Sequence, residues 1–207
     1  MATTKNREIF RAVNISNSTT EAEFRSVLLN RLNDGEKEAF ELYLHLAPDC
    51  INPATQTAIF EFEPRTPNPR TMEPHALEPG ASEPGLSELP LFLQTKETFL
   101  LHRDRVVAID ADFLGLTQLY PVEPSEIKID IVALPVPNAH PYRTWANHVV
   151  PNMENVAQMW LRDFLCKDDN LKYCRTMIFG YRTKYRPKTE LPIEDAANYF
   201  LEEINKC

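Results

Sequence analysis

The segment 133–145, ALPVPNAHPYRTW, directly follows an apolar run, IKIDIV, that predicts a buried strand. At such a strand-to-loop junction, many α/β enzymes carry a glycine-rich loop whose backbone N–H groups hold a negatively charged oxygen. This segment contains three prolines and no glycine, and proline has no backbone N–H. The sequence therefore argues against oxyanion chemistry at this loop.

Five histidines, at positions 45, 75, 102, 140 and 148, are the other residues suited to acid–base or metal chemistry. None of them forms an i, i+4 pair, so we expect each to be a surface or hydrogen-bonded side chain.

HRDR at 102–105 contains the His-Arg-Asp of a kinase catalytic loop without a phosphate loop or a following Asp-Phe-Gly, and predicts a charged turn between strands. DADFLG at 110–115 lacks calcium-loop spacing. We predict no catalytic residue, no cofactor and no metal.

Basic and tyrosine side chains alternate through 172–188, and four of the basic residues follow a predicted strand: Arg182, Lys184, Arg186 and Lys188. This composition suits an anionic membrane surface or phosphate groups. The competing interpretation, which we favour, is a solvated loop, because the apolar residues 177–179 separate the basic residues from one another.

Composition limits the partners and the compartment. A net charge of -8 and a sequence pI near 5.2 oppose nucleic acid as the main partner, while 43% hydrophobic residues can build a core. The four cysteines show no C-x-x-C spacing, which fits reduced thiols in an intracellular protein. The sequence has neither an apolar leader nor a run that would span a bilayer. We expect a cytoplasmic protein with no transmembrane segment.

The first half of the chain predicts a small α+β unit. The run 8–15 reads as a strand, and a helix follows with capping-box spacing at Ser18 and Glu21. Alternating residues at 39–46 and 55–63 predict two adjacent strands. This order is the first half of a ferredoxin-like or RNA-recognition-motif-like unit. Phe60 and Phe62 lie beside glutamates, without the glycine and basic residues of an RNA platform, so we favour a scaffold over RNA binding.

A proline-rich segment, 64–90, follows, in which seven of the 27 residues are proline. Proline removes backbone donors and disfavours helix, so we expect a linker or insertion. TFLL and VVAID, within 98–110, predict short strands that are candidates to complete the first unit. The predicted domains are a ferredoxin-like unit at 1–63, with 91–120 as its candidate completion, the linker at 64–90, and an α/β segment at 121–207.

The second half alternates strands and helices, which predicts a parallel sheet. The run 127–136 reads as a strand covered on both faces, and 174–181 reads as a second buried strand. The helix between them is predicted to bury one stripe: Met153, Val156, Ala157, Trp160 and Phe164. A last helix is predicted to begin at Pro192 and to bury Ile193, Ala196, Ala197, Phe200 and Ile204.

DIVALPVPNAHPYRTW, MWLRDFL and MIFGY, in this order, resemble the opening of the serine-esterase or lipase-like α/β-hydrolase domains of fungal proteins. Those domains begin D-I-V-A-[IV]-H-G-L-G-G-x-x-x-x-T-W and continue W-L-R-D-F-L-P, then [TF]-F-G-Y. The resemblance covers about 109–207 and implies a partial doubly wound α/β-hydrolase-like sheet after the ferredoxin-like unit. It places the family's oxyanion loop on five residues: Pro135, Val136, Pro137, Asn138 and Ala139.

The resemblance also implies that two catalytic features of the family are missing from this sequence. The family's oxyanion donor falls on Pro137, which has no N–H, and G-x-S-x-G does not occur in the 207 residues. We expect a chain truncated before the nucleophile elbow: a non-catalytic remnant, or pseudoenzyme, that acts as a protein-interaction scaffold or self-associates. The alternative is a fragment of an active serine esterase or lipase whose catalytic half lies outside this chain.

Overall fold

A computed structural model of the chain describes residues 8–65, 89–94, 98–137, 139–147, 158–181 and 193–207. In this part, strands dominate and form two larger sheets, one antiparallel and one mixed, with few helices. The fold is α+β at this level of description. Most of the proline-rich segment, Asn138, and the basic residues from Arg182 to Lys188 lie outside the described residues.

The first sheet has five strands: β1 (Ile9–Ser16), β2 (Phe40–Pro48), β3 (Thr55–Pro64), β4 (Thr98–His102) and β5 (Arg105–Asp110). Their order is β2-β3-β1-β5-β4, and every neighbouring pair is antiparallel. The predicted adjacency of β2 and β3 is confirmed. The strands predicted in TFLL and VVAID are also confirmed, and they extend the sheet beyond β1.

Two short helices connect β1 to β2: α1 (Glu21–Leu29) and α2 (Asp34–Ala39). The capping box of α1 uses Thr20 and Glu23, so the predicted pair Ser18 and Glu21 was wrong by two residues. The Ser18 hydroxyl instead contacts that of Ser16 at 2.9 Å, because the chain is still turning out of β1 at this point. Helix α1 begins after Thr20 because this residue is extended and its side-chain oxygen can accept a hydrogen bond from the backbone N–H of Glu23.

The main core lies between α1 and one face of the five-stranded sheet. Phe24 and Leu28 of α1 are fully buried there with Phe60 of β3. A second cluster covers the opposite face, where Ile9 and Ile59 pack with residues from the second half of the chain. Eight of the ten residues of β3 are buried because this strand is covered on both faces.

The second sheet has three strands: β6 (Gly115–Gln118), β7 (Ile129–Ala133) and β10 (Cys174–Gly180), in the order β6-β10-β7. The parallel pairing of β7 with β10 and the burial of β10 were predicted and are confirmed. The antiparallel pairing of β6 was not predicted. The interpretation of β7 as covered on both faces was wrong, because β7 is an outer strand of the described sheet and Ile129 is 58% exposed.

The connection from β7 to β10 contains two paired two-residue strands, β8 (Ala146–Asn147) and β9 (Gln158–Met159), and the short helix α3 (Trp160–Asp163). Met153, Val156 and Ala157 of the predicted helical stripe lie outside the described residues. Trp160 and Phe164 were predicted to be buried and are exposed. The correction follows from the length of α3, since four residues make one turn and cannot present a stripe over several turns.

The last helix, α4 (Ile193–Ile204), is helical as predicted but packs with a different face. Ile193 is 83% exposed, and Ala197 and Ile204 are also exposed, so their predicted burial was wrong. Tyr199 and Phe200 contact the ring of Phe179, and the Glu203 side chain lies against Gly115. Aromatic contacts with β10, rather than the largest aliphatic stripe, determine how α4 packs.

Candidate functional site

The loop after β7 contains the residues that we predicted, from the sequence resemblance, to correspond to an oxyanion loop. Pro135 is buried, and its carbonyl oxygen accepts a hydrogen bond of 3.0 Å from the Tyr181 hydroxyl. Val136 is 67% exposed, and its carbonyl accepts from the Ala139 N–H at 3.0 Å in a tight turn. The Ala139 N–H is thus engaged within the loop, and Pro137 has no N–H to offer.

His140 anchors the end of this loop through both ring nitrogens. Its Nδ1 accepts from the backbone N–H groups of Tyr142 at 3.1 Å and Arg143 at 3.2 Å. Its Nε2 lies 3.0 Å from the carbonyl oxygen of Ala111. Because Nδ1 accepts hydrogen bonds, it carries no hydrogen. Because Nε2 faces a carbonyl oxygen, it must donate one, so the ring is the neutral tautomer with its hydrogen on Nε2.

The electrostatics of His140 agree with this tautomer. Burial, with the Arg143 charge as the second cause, lowers the pKa of His140 from 6.5 to about 4. The ring is therefore neutral at physiological pH, and both nitrogens are already used. His140 ties the loop after β7 to the segment after β5 and is not placed to act as a general base.

Close packing around Phe113 also holds the loop after β7 in place. Phe113 is fully buried with φ 53°, and its ring contacts those of His140 and Tyr142 at centroid distances of 5.4 and 5.8 Å. Gly180, the last residue of β10, passes so close that a Cβ there would lie 1.9 Å from the Phe113 carbonyl oxygen. Glycine is therefore required at this position by the close approach of the two backbone segments.

Arg11 joins the two sheets. Its guanidinium donates to Asp110 Oδ2 at 2.9 and 3.0 Å. It also donates to the Leu114 carbonyl and the Thr117 hydroxyl, both at 2.9 Å, and lies 5.6 Å from the Phe113 ring centroid. Arg11 therefore connects β1 to β5 and β6, and removing its partner Asp110 would leave a buried positive charge without its counter-ion. The turn after Asp110, DADFLG, is part of this junction.

A small cavity lies between β2, β3 and α3, beside the buried side chains of Tyr142 and Arg162. The buried Arg162 side chain donates a hydrogen bond to the Tyr142 hydroxyl at 2.9 Å. It also forms a bidentate ion pair with the Asp163 carboxylate, with N–O distances of 2.7 and 3.1 Å. Burial raises the pKa of Tyr142. The cavity, lined also by Tyr43, His45 and Glu61, has a volume of about 20 Å³, which is room for one water and not for a substrate.

HRDR forms the predicted charged turn between β4 and β5. Arg103 and Asp104 have φ values of 48° and 59°, as the two central residues of a tight hairpin turn require. Arg103 donates to Glu23 and to Ser18, each at 2.6 Å, so the turn is held against the start of α1.

An exposed apolar surface lies on β4 and β5, and sequence reasoning missed it. Phe99, Leu101 and Val106 are 59%, 69% and 57% exposed and share one face, which we call the β4–β5 face. The second cluster covers this side of the sheet at Ile9 and Ile59. The β4–β5 face is left uncovered, and within the described residues β4 is also the last strand of its sheet. The sequence signal for it is the run of three consecutive apolar residues in TFLLH, which places apolar side chains on both faces of β4.

Comparisons of the chain with models of known protein families, with curated proteins and with solved structures gave no significant match. Among the described helices, none has both the length and the apolar character that crossing a membrane requires. The described residues also contain no group of three or more His, Cys, Asp and Glu side chains that could hold a metal ion.

Proposed function

We propose that this chain is a non-catalytic protein-interaction module that associates with a second copy of itself through strand β4. The observation that carries the proposal is the β4–β5 face beside the outer edge of β4. Exposed apolar patches next to an unpaired strand edge mark interaction sites.

We further propose that the module combines a ferredoxin-like unit with the beginning of an α/β-hydrolase-like sheet. The position of β3 between β1 and β2 supports the first part, since this is the split β-α-β arrangement. The second part is supported by the parallel pair β7 and β10 with an antiparallel outer strand, which is common in doubly wound sheets.

Three features support a non-catalytic role. The loop aligned with the oxyanion loop has Pro137 where a donor is needed. The nearest histidine, His140, uses both ring nitrogens to hold backbone groups. The described cavity beside Arg162 has room for one water.

The register of β4 favours a second copy as the partner. If two β4 strands pair antiparallel about Leu100, Phe99 of each copy lies opposite Leu101 of the other, and Thr98 lies opposite His102. No like charges meet, and the same patch serves both copies, as a two-fold interface requires. Cross-strand aromatic–aliphatic pairs stabilise such contacts by roughly 0.2–1 kcal/mol each. The net charge of -8 on each copy opposes association in general, so a contact between copies requires a surface without acidic side chains, and residues 98–102 contain none.

Light scattering after gel filtration, over a range of protein concentrations, tests the proposal. We expect wild-type protein to show a concentration-dependent dimer. Leu101→Lys should weaken it about tenfold or more, because it places a charge in both symmetric pairs and each 1.4 kcal/mol is a factor of ten. Leu91→Lys is the matched control, because Leu91 is also 69% exposed but lies outside β4. It should leave the dimer unchanged.

A wild-type protein that stays monomeric at high concentration would refute the association, as would an equal effect of Leu91→Lys. The non-catalytic part is tested separately. Labelling of a serine by a fluorophosphonate, or hydrolysis of short acyl esters by the purified chain, would overturn it and favour the esterase alternative.

A further inference from the structure

Helix α4 presents an apolar stripe to solvent along its whole length. Ile193, Leu201 and Ile204 are 83%, 56% and 37% exposed, and Ala197 between them is exposed as well. Each residue turns an α-helix by about 100°, so these four side chains lie within about 80° of one another around α4. At about 1.5 Å per residue, the stripe is about 17 Å long, or roughly three turns.

A different side of α4 holds the helix on the second sheet. The rings of Tyr199 and Phe200 lie 5.4 and 4.9 Å from the Phe179 ring, measured between centroids. Glu203 is buried, and its carboxylate lies against Gly115 at the start of β6. The orientation of the apolar stripe is therefore fixed by contacts that leave the stripe itself exposed.

Acidic side chains lie beside the stripe on the solvent side. Glu194, Asp195 and Glu202 are exposed. By the same step of about 100° per residue, Glu194 follows Leu201 around the helix, and Glu202 and Asp195 come next. Residues 193–204 contain no lysine or arginine. The exposed surface of α4 is thus an apolar stripe bounded by negative charge.

This combination of surfaces selects the chemistry of the partner. Contact between the α4 helices of two copies would bring like charges together, and each copy already carries a net charge of -8. An anionic membrane surface is opposed for the same reason. A helix with an apolar stripe of its own and with Lys or Arg beside it complements both features of α4.

We propose that the apolar stripe of α4 is a docking site for a basic amphipathic helix of another protein. The partner helix lies along α4 and covers Ile193, Ala197, Leu201 and Ile204 with its apolar side chains. Its basic side chains pair with Glu194 and Glu202. The site is separate from the β4–β5 face and does not depend on self-association through β4.

The probe is an amphipathic peptide of about 14 residues, long enough to cover three helical turns, with leucine at helical spacing and lysine elsewhere. A comparison peptide carries glutamate in place of lysine. Each peptide is labelled, and its binding to the full chain is measured by fluorescence anisotropy. Backbone amide NMR shifts of the chain locate the bound peptide. We expect the lysine peptide to bind with shifts concentrated in α4, and the glutamate peptide not to bind.

One pair of variants tests the apolar contact. Leu201→Gln removes an exposed apolar side chain from the stripe with little change in helix propensity, and it should weaken binding of the lysine peptide about tenfold. Leu91→Gln is its control, because Leu91 is 69% exposed but lies outside α4. The control should bind like wild type.

A second pair tests the charge. Glu194→Gln combined with Glu202→Gln should weaken binding about threefold or more and reduce its dependence on salt, because the peptide loses two opposite charges. The control combines Glu123→Gln with Glu126→Gln, which removes the same charge from exposed positions before β7. It should keep the wild-type affinity.

The proposal is overturned if wild type binds neither peptide or binds both equally, or if either control loses as much affinity as its matched variant. It is also overturned if Leu201→Gln lowers the mass of the wild-type assembly or its binding to phosphatidylcholine vesicles, because a second copy or a membrane would then occupy the stripe. Leu101→Lys, which weakens pairing through β4, should bind the lysine peptide as wild type does. Loss of binding in that variant would place the peptide on the β4–β5 face and refute the docking site.

Discussion

Acid should destabilise this protein in part through His140, in the loop after β7. Its neutral ring accepts two backbone N–H groups, from Tyr142 and Arg143, and faces the Ala111 carbonyl with its remaining nitrogen. A proton added to Nδ1 would remove the acceptor for both N–H groups and would place a positive charge beside Arg143. The charges of Asp110 and Asp112 favour that proton, but burial and Arg143 outweigh them.

The size of the effect follows from the two pKa values. The pKa of His140 falls from 6.5 in the unfolded chain to about 4 in the fold. The stabilisation from the neutral ring is therefore complete above pH 6.5, decreases as the pH falls towards 4, and changes no further below that. The full difference corresponds to at most roughly 3.4 kcal/mol. Because the ring is only partly buried, solvent screening reduces this, and we expect a loss of about 1–2 kcal/mol between pH 7.5 and pH 4.5.

Urea unfolding of wild type and His140→Asn at both pH values isolates this contribution. Asparagine keeps an acceptor at the position of Nδ1 but does not titrate in this range. At pH 7.5 the variant should be the less stable protein, because it loses the bond to Ala111 and the ring contact with Phe113. At pH 4.5 that difference should shrink by about 1–2 kcal/mol, since only wild type carries the titrating ring. Equal losses in both proteins, or an NMR titration of the His140 ring centred near 6.5, would refute the reasoning.

Two further substitutions test the packing of this region. Gly180→Ala should destabilise the fold by about 3 kcal/mol or prevent folding, because its Cβ would lie 1.9 Å from the Phe113 carbonyl oxygen. In Gly35→Ala, the control, the new Cβ meets only a side-chain oxygen at 3.4 Å, and because Gly35 lies in α2 the stability in thermal unfolding should equal or slightly exceed that of wild type. Tyr181→Phe removes the donor to Pro135 and should cost about 1 kcal/mol in denaturant unfolding. No loss of stability in Gly180→Ala or in Tyr181→Phe would contradict the close approach or the hydrogen bond on which each expectation rests.

The strands of the first sheet could be predicted because their information is local. Alternation of apolar residues in 39–46 and 55–63 identifies β2 and β3, and both form as expected. The strand after residue 174 and the helix after residue 192 were also found from their patterns. The capping residues of α1 were misplaced, because several neighbouring residues can serve as caps and the tertiary turn after β1 selects Thr20.

For the candidate site, the sequence predicted which residue types are present but not which contacts they make. The sequence shows that Pro135 and Pro137 interrupt a loop that would otherwise present amides, and it shows that His140 lies close by. It does not show that both nitrogens of His140 are engaged, because one partner, Ala111, is 29 residues away. The β4–β5 face was missed for a similar reason, since its exposure depends on how far the second cluster extends over the sheet.

The sequence by itself determined the local elements, the absence of glycine from the loop after β7, and the types of side chain available for chemistry. The tertiary structure decided which face of each element is covered, so that the α4 stripe predicted to be buried contains exposed residues and β7 is an outer strand. It also brought Arg11 beside Asp110. The physical reason is that periodicity specifies which residues share a face, whereas burial and pairing depend on chain segments that are distant in sequence.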